Sequence, residues 1–206
     1  MSKVIGFWLV AVCCSAASFA ADSKDKQQKD DGKPAEITVH ARDYCDPASF
    51  GAALCNRDVT TGAITFAGFG AELVAEKSAG AWRFIPSSTD APEGANISLS
   101  NFGGETHTFT RVKKFGGGFV AALNGPAGTP DPAPECAQTV NGALAPQPPS
   151  ANNVFLPAGA TGKAEVKEGE VAHFQCCIHP WMHTTIDSRD EQHKRSDSQQ
   201  QSSDAP

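Results

Sequence analysis

Apolar side chains in this chain come in short runs with a period of two, and each run stops at Gly or Pro within a few residues. With 19 Gly and 14 Pro in 206 residues, few stretches survive long enough for a helix, because each of these residues destabilises a helix interior. A helical bundle is thereby excluded. Alternation suited to half-buried strands is found at Ile37-Thr38-Val39, Ile64-Thr65-Phe66, Trp82 to Ile85, Ile97-Ser98-Leu99, Thr108 to Val112, Gly118-Phe119-Val120, Ala164-Glu165-Val166 and Val171 to Cys176. Many short strands with frequent turns predict an all-β sandwich or barrel. The one helical candidate, Phe69 to Lys77, is weakened by Gly70 and Gly80. Residues 123–160 hold many of the prolines and show no periodicity, so they read as a long Pro/Gly/Ala-rich loop or insertion.

The ends of the chain differ from its middle. Residues 1–20 combine Lys3, an apolar run from Val4 to Val12 and small residues up to Ala20, the pattern of a signal peptide. The apolar run is shorter than the roughly 20 residues a spanning helix needs. Residues 21–35 read as a flexible polar leader and 188–206 as a disordered polar tail, since neither can bury enough apolar surface to offset its ordering entropy. The folded domain is expected over 36–187, in a periplasmic or secreted protein. The net charge of −6 and the lack of any Lys/Arg block exclude nucleic-acid binding as an expectation. No Gly-x-Ser-x-Gly, His-Glu-x-x-His or phosphate-cradling Gly-Lys-Ser/Thr sequence occurs, which leaves hydrolysis without support.

Chemistry concentrates in Phe174 to Ile186, FQCCIHPWMHTTI. Cys176, His179 and Met182 stand there at Cys-x-x-His-x-x-Met spacing, just after a predicted strand. A thiolate, an imidazole and a thioether form the soft and borderline donor set that suits copper. Met182 is also the only Met beyond Met1. A second imidazole is supplied by His107, which opens a strand after the Gly-rich turn Asn101-Phe102-Gly103-Gly104. In these segments the chain resembles the cupredoxin, or blue-copper, family of the plastocyanin and amicyanin type, over Ala95 to Ile186 most clearly and only loosely before that. The resemblance implies a Greek-key β-sandwich holding one type 1 copper ion, with His107, Cys176 and His179 as equatorial ligands and Met182 as the weak axial one. It implies a one-electron carrier and not an enzyme, a monomer in transient contact with redox protein donors and acceptors. It also implies that His179 lies at the surface as the electron exit, ringed by apolar residues such as Pro180 and Trp181. Two departures stand out: Thr108 occupies the position where the family has Asn, and residues 42–60 and 123–160 have no counterpart in a minimal member.

The cysteines fit the same reading. Five remain after residue 20, and an oxidising compartment leaves few free thiols, so an odd count asks for one with another task. With Cys176 on a metal, strand alternation turns Cys177 to the opposite face. Disulfides Cys45–Cys55 and Cys136–Cys177 are expected, other pairings staying compatible with the spacing. His183 is an alternative axial ligand to Met182, although Met182 suits the resemblance better. His40, His173 and His193 are read as ordinary histidines. Copper storage or delivery is a competing function, against which the scarcity of Met speaks, and a copper enzyme would need His-x-His pairs that the chain lacks. A structural zinc site from Cys176, Cys177, His179 and His183 requires adjacent cysteines to converge, contrary to the strand prediction.

Overall fold

A computed structural model of the chain describes residues 35–57, 62–92, 94–167 and 169–189. The expected signal peptide, the leader as far as Pro34, and the tail beyond Arg189 with His193 lie outside the described residues. Among those described, no helix is long and apolar enough to cross a membrane.

Two sheets form the domain. In the first, β1 (Glu36–Arg42) lies between β2 (Arg83–Ile85) and β4 (Asn96–Asn101), and β9 (Thr161–Glu165) closes the far edge. The second has the order β3 (Ser88–Asp90), β11 (His183–Asp187), β10 (Val171–Gln175), β5 (His107–Val112) and β8 (Asn153–Leu156). β1 runs parallel to β4, and β11 parallel to β3, while the other pairs are antiparallel. The expected β-sandwich is therefore present. Ile97, Leu99 and Asn101 are buried at alternate positions of β4, as are Thr184 and Ile186 of β11. Phe84 from one sheet meets Phe109 from the other edge-on at 5.3 Å, and Phe109 stacks on Phe174 at 4.3 Å. Each such fully buried side chain stabilises the sandwich by roughly 1.5–3 kcal/mol relative to exposure.

Three local expectations are corrected. Ile64 to Phe66 forms no strand: Ile64 makes a single bridge to Cys45, just before the short α1 (Pro47–Phe50), and Thr65 caps α2 (Phe66–Glu76) by accepting from the Gly68 amide at 3.1 Å. The helix predicted from Phe69 is thus longer than expected, and it buries Phe69 and Leu73, one turn apart. Gly118 to Val120 is a turn packed beside Cys177 before the short α3 (Ala121–Asn124), with the Phe119 amide donating to the Cys177 carbonyl. Residues 123–160 are not a plain loop. They contain the hairpin β6 (Ala137–Val140) and β7 (Ala143–Pro146) as well as β8. The hairpin turns at Asn141-Gly142, both with positive φ, the pairing that matches the right-handed twist of the strands.

Both expected disulfides form, Cys45–Cys55 and Cys136–Cys177, and Cys176 is the free cysteine among the described residues. Cys176 belongs to the main core, whereas Cys177 packs with Val112, Ala133 and Cys136 in a second buried cluster. Alternation continued just past the end of β10 thus separates the two neighbouring sulfurs.

Candidate metal centre

The donors converge at one end of the sandwich. His107 opens β5, and Cys176 follows directly on β10, so the antiparallel β5–β10 pairing brings together residues 69 apart in sequence. The turn Cys176 to Met182 is closed by backbone bonds, Cys176 N–H to the Met182 carbonyl at 3.0 Å and Met182 N–H to the His179 carbonyl at 2.9 Å. His107 Nδ1 lies 3.8 Å from Cys176 Sγ, and His179 Nδ1 lies 3.7 Å from it. The three donor atoms stand within 4.8 Å of one another and are buried. A metal–thiolate bond of about 2.3 Å and a metal–imidazole bond of about 2.0–2.1 Å, opened to about 120°, separate sulfur from nitrogen by about 3.8 Å. These three residues could therefore hold a metal ion with little rearrangement.

Hydrogen bonds fix each donor. The amides of Thr108 and His179 both donate to Cys176 Sγ at 3.4 Å. Thr108 accepts the Cys177 amide on its hydroxyl at 2.7 Å and so ties the His107 and Cys176 segments together. The far ring nitrogens carry partners that no spacing announced. His107 Nε2 meets Asp43 Oδ2 at 2.9 Å, and His179 Nε2 meets Glu105 Oε2 at 3.3 Å. Asp43 comes from just beyond β1, and Glu105 from the turn before His107. The Gly103-Gly104 turn explains how Asp43 fits, since a Cβ at Gly103 would stand 1.8 Å from its Oδ2. The amides of Gly104 and Glu105 donate to Asp43 at 3.0 Å each. Glu105 Oε2 also accepts from the Trp82 indole N–H.

Electrostatics draw positive charge to this point. Burial disfavours ionisation of Cys176, but hydrogen bonds and charge from both imidazoles hold its thiol well below the ordinary range. Burial likewise opposes protonation of His179, yet the Cys176 thiolate and Glu105 raise it to about 9. His107 is raised as well, burial being outweighed by Asp43 and Cys176. Asp43 is lowered to about 2: burial works against the charge, while His107 and the Glu105 and Gly104 amides favour it. A thiolate held between two imidazoles, each backed by a carboxylate, is a donor pattern that suits a divalent cation.

The surface position expected for His179 is not found. Only 4% of His179 is exposed. Trp181 meets its ring edge-on at 5.5 Å, Trp82 lies 6.5 Å away, and Phe69 of α2 packs on both tryptophans. Trp181 is held in place by its indole N–H donating to the Ala79 carbonyl at 3.2 Å, and Pro180 is buried too. Residues 66–82, which no strand pattern linked to the site, form the cover.

Met182 is buried in the same core cluster as Cys176. His183 points elsewhere, stacking on Phe115 at 3.9 Å beside the second cluster, and the two do not share a face. Burial lowers its pKa, in keeping with a neutral ring away from the donors. Cys177 is in a disulfide, so the four-residue zinc arrangement is not assembled. His173 lies near Thr185 and Phe115, and His40 packs on Phe102, both away from the donors.

No protein-family model matches the sequence, and no curated protein does. Solved structures similar to the chain include cupredoxins. A purple cupredoxin from Nitrosopumilus maritimus is 17% identical, with 53% of this chain and 84% of that one covered at a TM-score of 0.31. The dithionite-reduced auracyanin of Roseiflexus castenholzii is 16% identical, with 51% and 86% covered and a TM-score of 0.30. Auracyanin B is 19% identical, with 75% and 89% covered and a TM-score of 0.31.

Proposed function

We propose that this protein is an exported one-electron carrier that uses a single type 1 copper ion held by His107, Cys176, His179 and Met182. The observation that carries the reading is the set of two imidazole Nδ1 atoms and one thiolate within 4.8 Å, each fixed by its own hydrogen bonds. Copper supplies the one-electron couple. The chain's part is to keep the donors nearly still between oxidation states, to exclude water, and to direct electrons to partners. The ends of β5 and β10 hold two donors, and the closed turn from Cys176 to Met182 holds the others. No bond chemistry is performed, so the protein is a carrier and not an enzyme.

With His179 covered, electrons pass through the aromatic layer of Trp82, Trp181 and Phe69. Docking is with a donor and an acceptor redox protein in turn, through small transient contacts by a monomer. A periplasmic or secreted location is supported by the leading segment and by two disulfides. Copper delivery fits less well, because handing an ion to a partner requires donors that the partner can reach, and here they are buried.

The test is the visible and electron paramagnetic resonance spectrum after adding Cu(II) to the processed protein. An intense thiolate-to-copper band with narrow copper hyperfine splitting is expected. It should vanish in Cys176→Ala with the far-ultraviolet circular dichroism unchanged. A folded wild-type protein with no such band would refute the type 1 centre.

A further inference from the structure

Both candidate imidazole ligands carry a buried carboxylate on the nitrogen that faces away from the thiolate. We propose that Asp43 and Glu105 are positioning residues that hold the reduction potential of the copper centre low. This rests on the copper reading above.

The argument is one of charge in a dry place. Reduction of Cu(II) by a redox partner adds one electron and removes one unit of positive charge from the centre. An anion fixed nearby in a medium of low polarity therefore stabilises the oxidised form more than the reduced one. The side chain of Asp43 is fully buried, and that of Glu105 is 11% exposed, so neither charge is dispersed by bulk water. Among the described residues, their ion pairs are those with His107 and His179, not with a Lys or Arg that would cancel the effect. A carboxylate accepting from the far ring nitrogen also makes the near nitrogen a stronger donor, which favours the higher oxidation state again. The bonds to the two rings set their orientation at the same time.

Glu105 differs from Asp43 in one respect that makes the idea testable in both directions. Its Oε2 is shared between His179 and the Trp82 indole N–H. Glu105→Gln keeps the size and an acceptor oxygen but removes the charge. Trp82→Phe keeps an aromatic ring against Phe69 while deleting the competing donor, leaving more of the carboxylate's charge for His179.

The experiment is a spectroelectrochemical titration of the copper-loaded full chain and its variants, with the melting temperature recorded alongside. Glu105→Gln should shift the midpoint potential positive by about 59 mV or more, a tenfold or greater change in the relative affinity for the two oxidation states. Asp43→Asn should shift it the same way, and Trp82→Phe the opposite way. Loss of packing alone would not produce opposite signs. Copper-loaded variants with the wild-type potential, or shifts of one sign throughout, overturn the proposal while leaving the copper reading intact. A wild-type protein that forms no thiolate–copper band overturns both.

Discussion

Replacing Thr108 with Val keeps the shape of the side chain and deletes the atom that receives the Cys177 amide. Thr108 is fully buried, so no water can take over that bond. An unpaired buried N–H costs about 1–3 kcal/mol, and the return from one extra buried methyl group offsets only part of it. The Thr110 hydroxyl loses its 3.1 Å contact with that of Thr108 but retains its bond to Asn153 Oδ1 at 2.7 Å, so most of the loss falls on the tether. A net destabilisation of about 2 kcal/mol corresponds to a fall of roughly 4–8 °C in melting temperature for a domain of this size. Thermal unfolding of the metal-free protein, with its disulfides oxidised and followed by circular dichroism, measures this directly. Thr108→Ser, which restores the acceptor, should recover most of the difference. If Thr108→Val melts within about 1 °C of wild type, the Thr108 hydroxyl is not what ties the two ligand segments together.

Acid should expose the role of Asp43. Its folded pKa of about 2 lies below the ordinary 3.8, so its contribution is complete above pH 3.8 and is lost as the pH falls through 2. That contribution is about 2 kcal/mol. Asp43→Asn should be less stable at pH 7 and lose less on going to pH 2 in urea titrations; an identical pH profile in both proteins would sink the assignment. The second disulfide closes a separation of 41 residues, for which chain entropy gives roughly 4 kcal/mol. Changing both Cys136 and Cys177 to Ala should lower stability by about that much while the copper band survives, since Cys176 faces the other cluster. Loss of the band in a folded double variant would contradict the separation of the two sulfurs.

What could be read from the residues was whatever is local. Period-two runs located β1, β2, β4, β5 and β10, and one seven-residue motif located three of the four proposed ligands. β11 escaped because HTTID presents only Ile186 as a large apolar side chain, its other buried position being Thr184. The hairpin β6–β7 did carry a signal, Asn141-Gly142, overshadowed by the surrounding prolines. Asp43 carried none: a carboxylate 64 residues from the imidazole it binds is placed by sheet register and by a Cβ-free turn, neither of which shows in spacing. Glu105 stood two residues from His107 in plain sight, but only the burial of His179 gives it a task. That burial was missed for the same reason, because the cover is a helix whose docking is a tertiary event.

If copper is held as proposed, the aromatic cover over His179 also governs traffic of the ion itself. A donor that water does not reach is equally closed to a chelator, so an ion seated there leaves only when α2, Trp82 and Trp181 part from one another. Release then follows the rate of a local opening of the fold, whatever the affinity of the competing ligand. Loading would be easiest while the cover has yet to dock, which would link acquisition of the ion to the moment of folding.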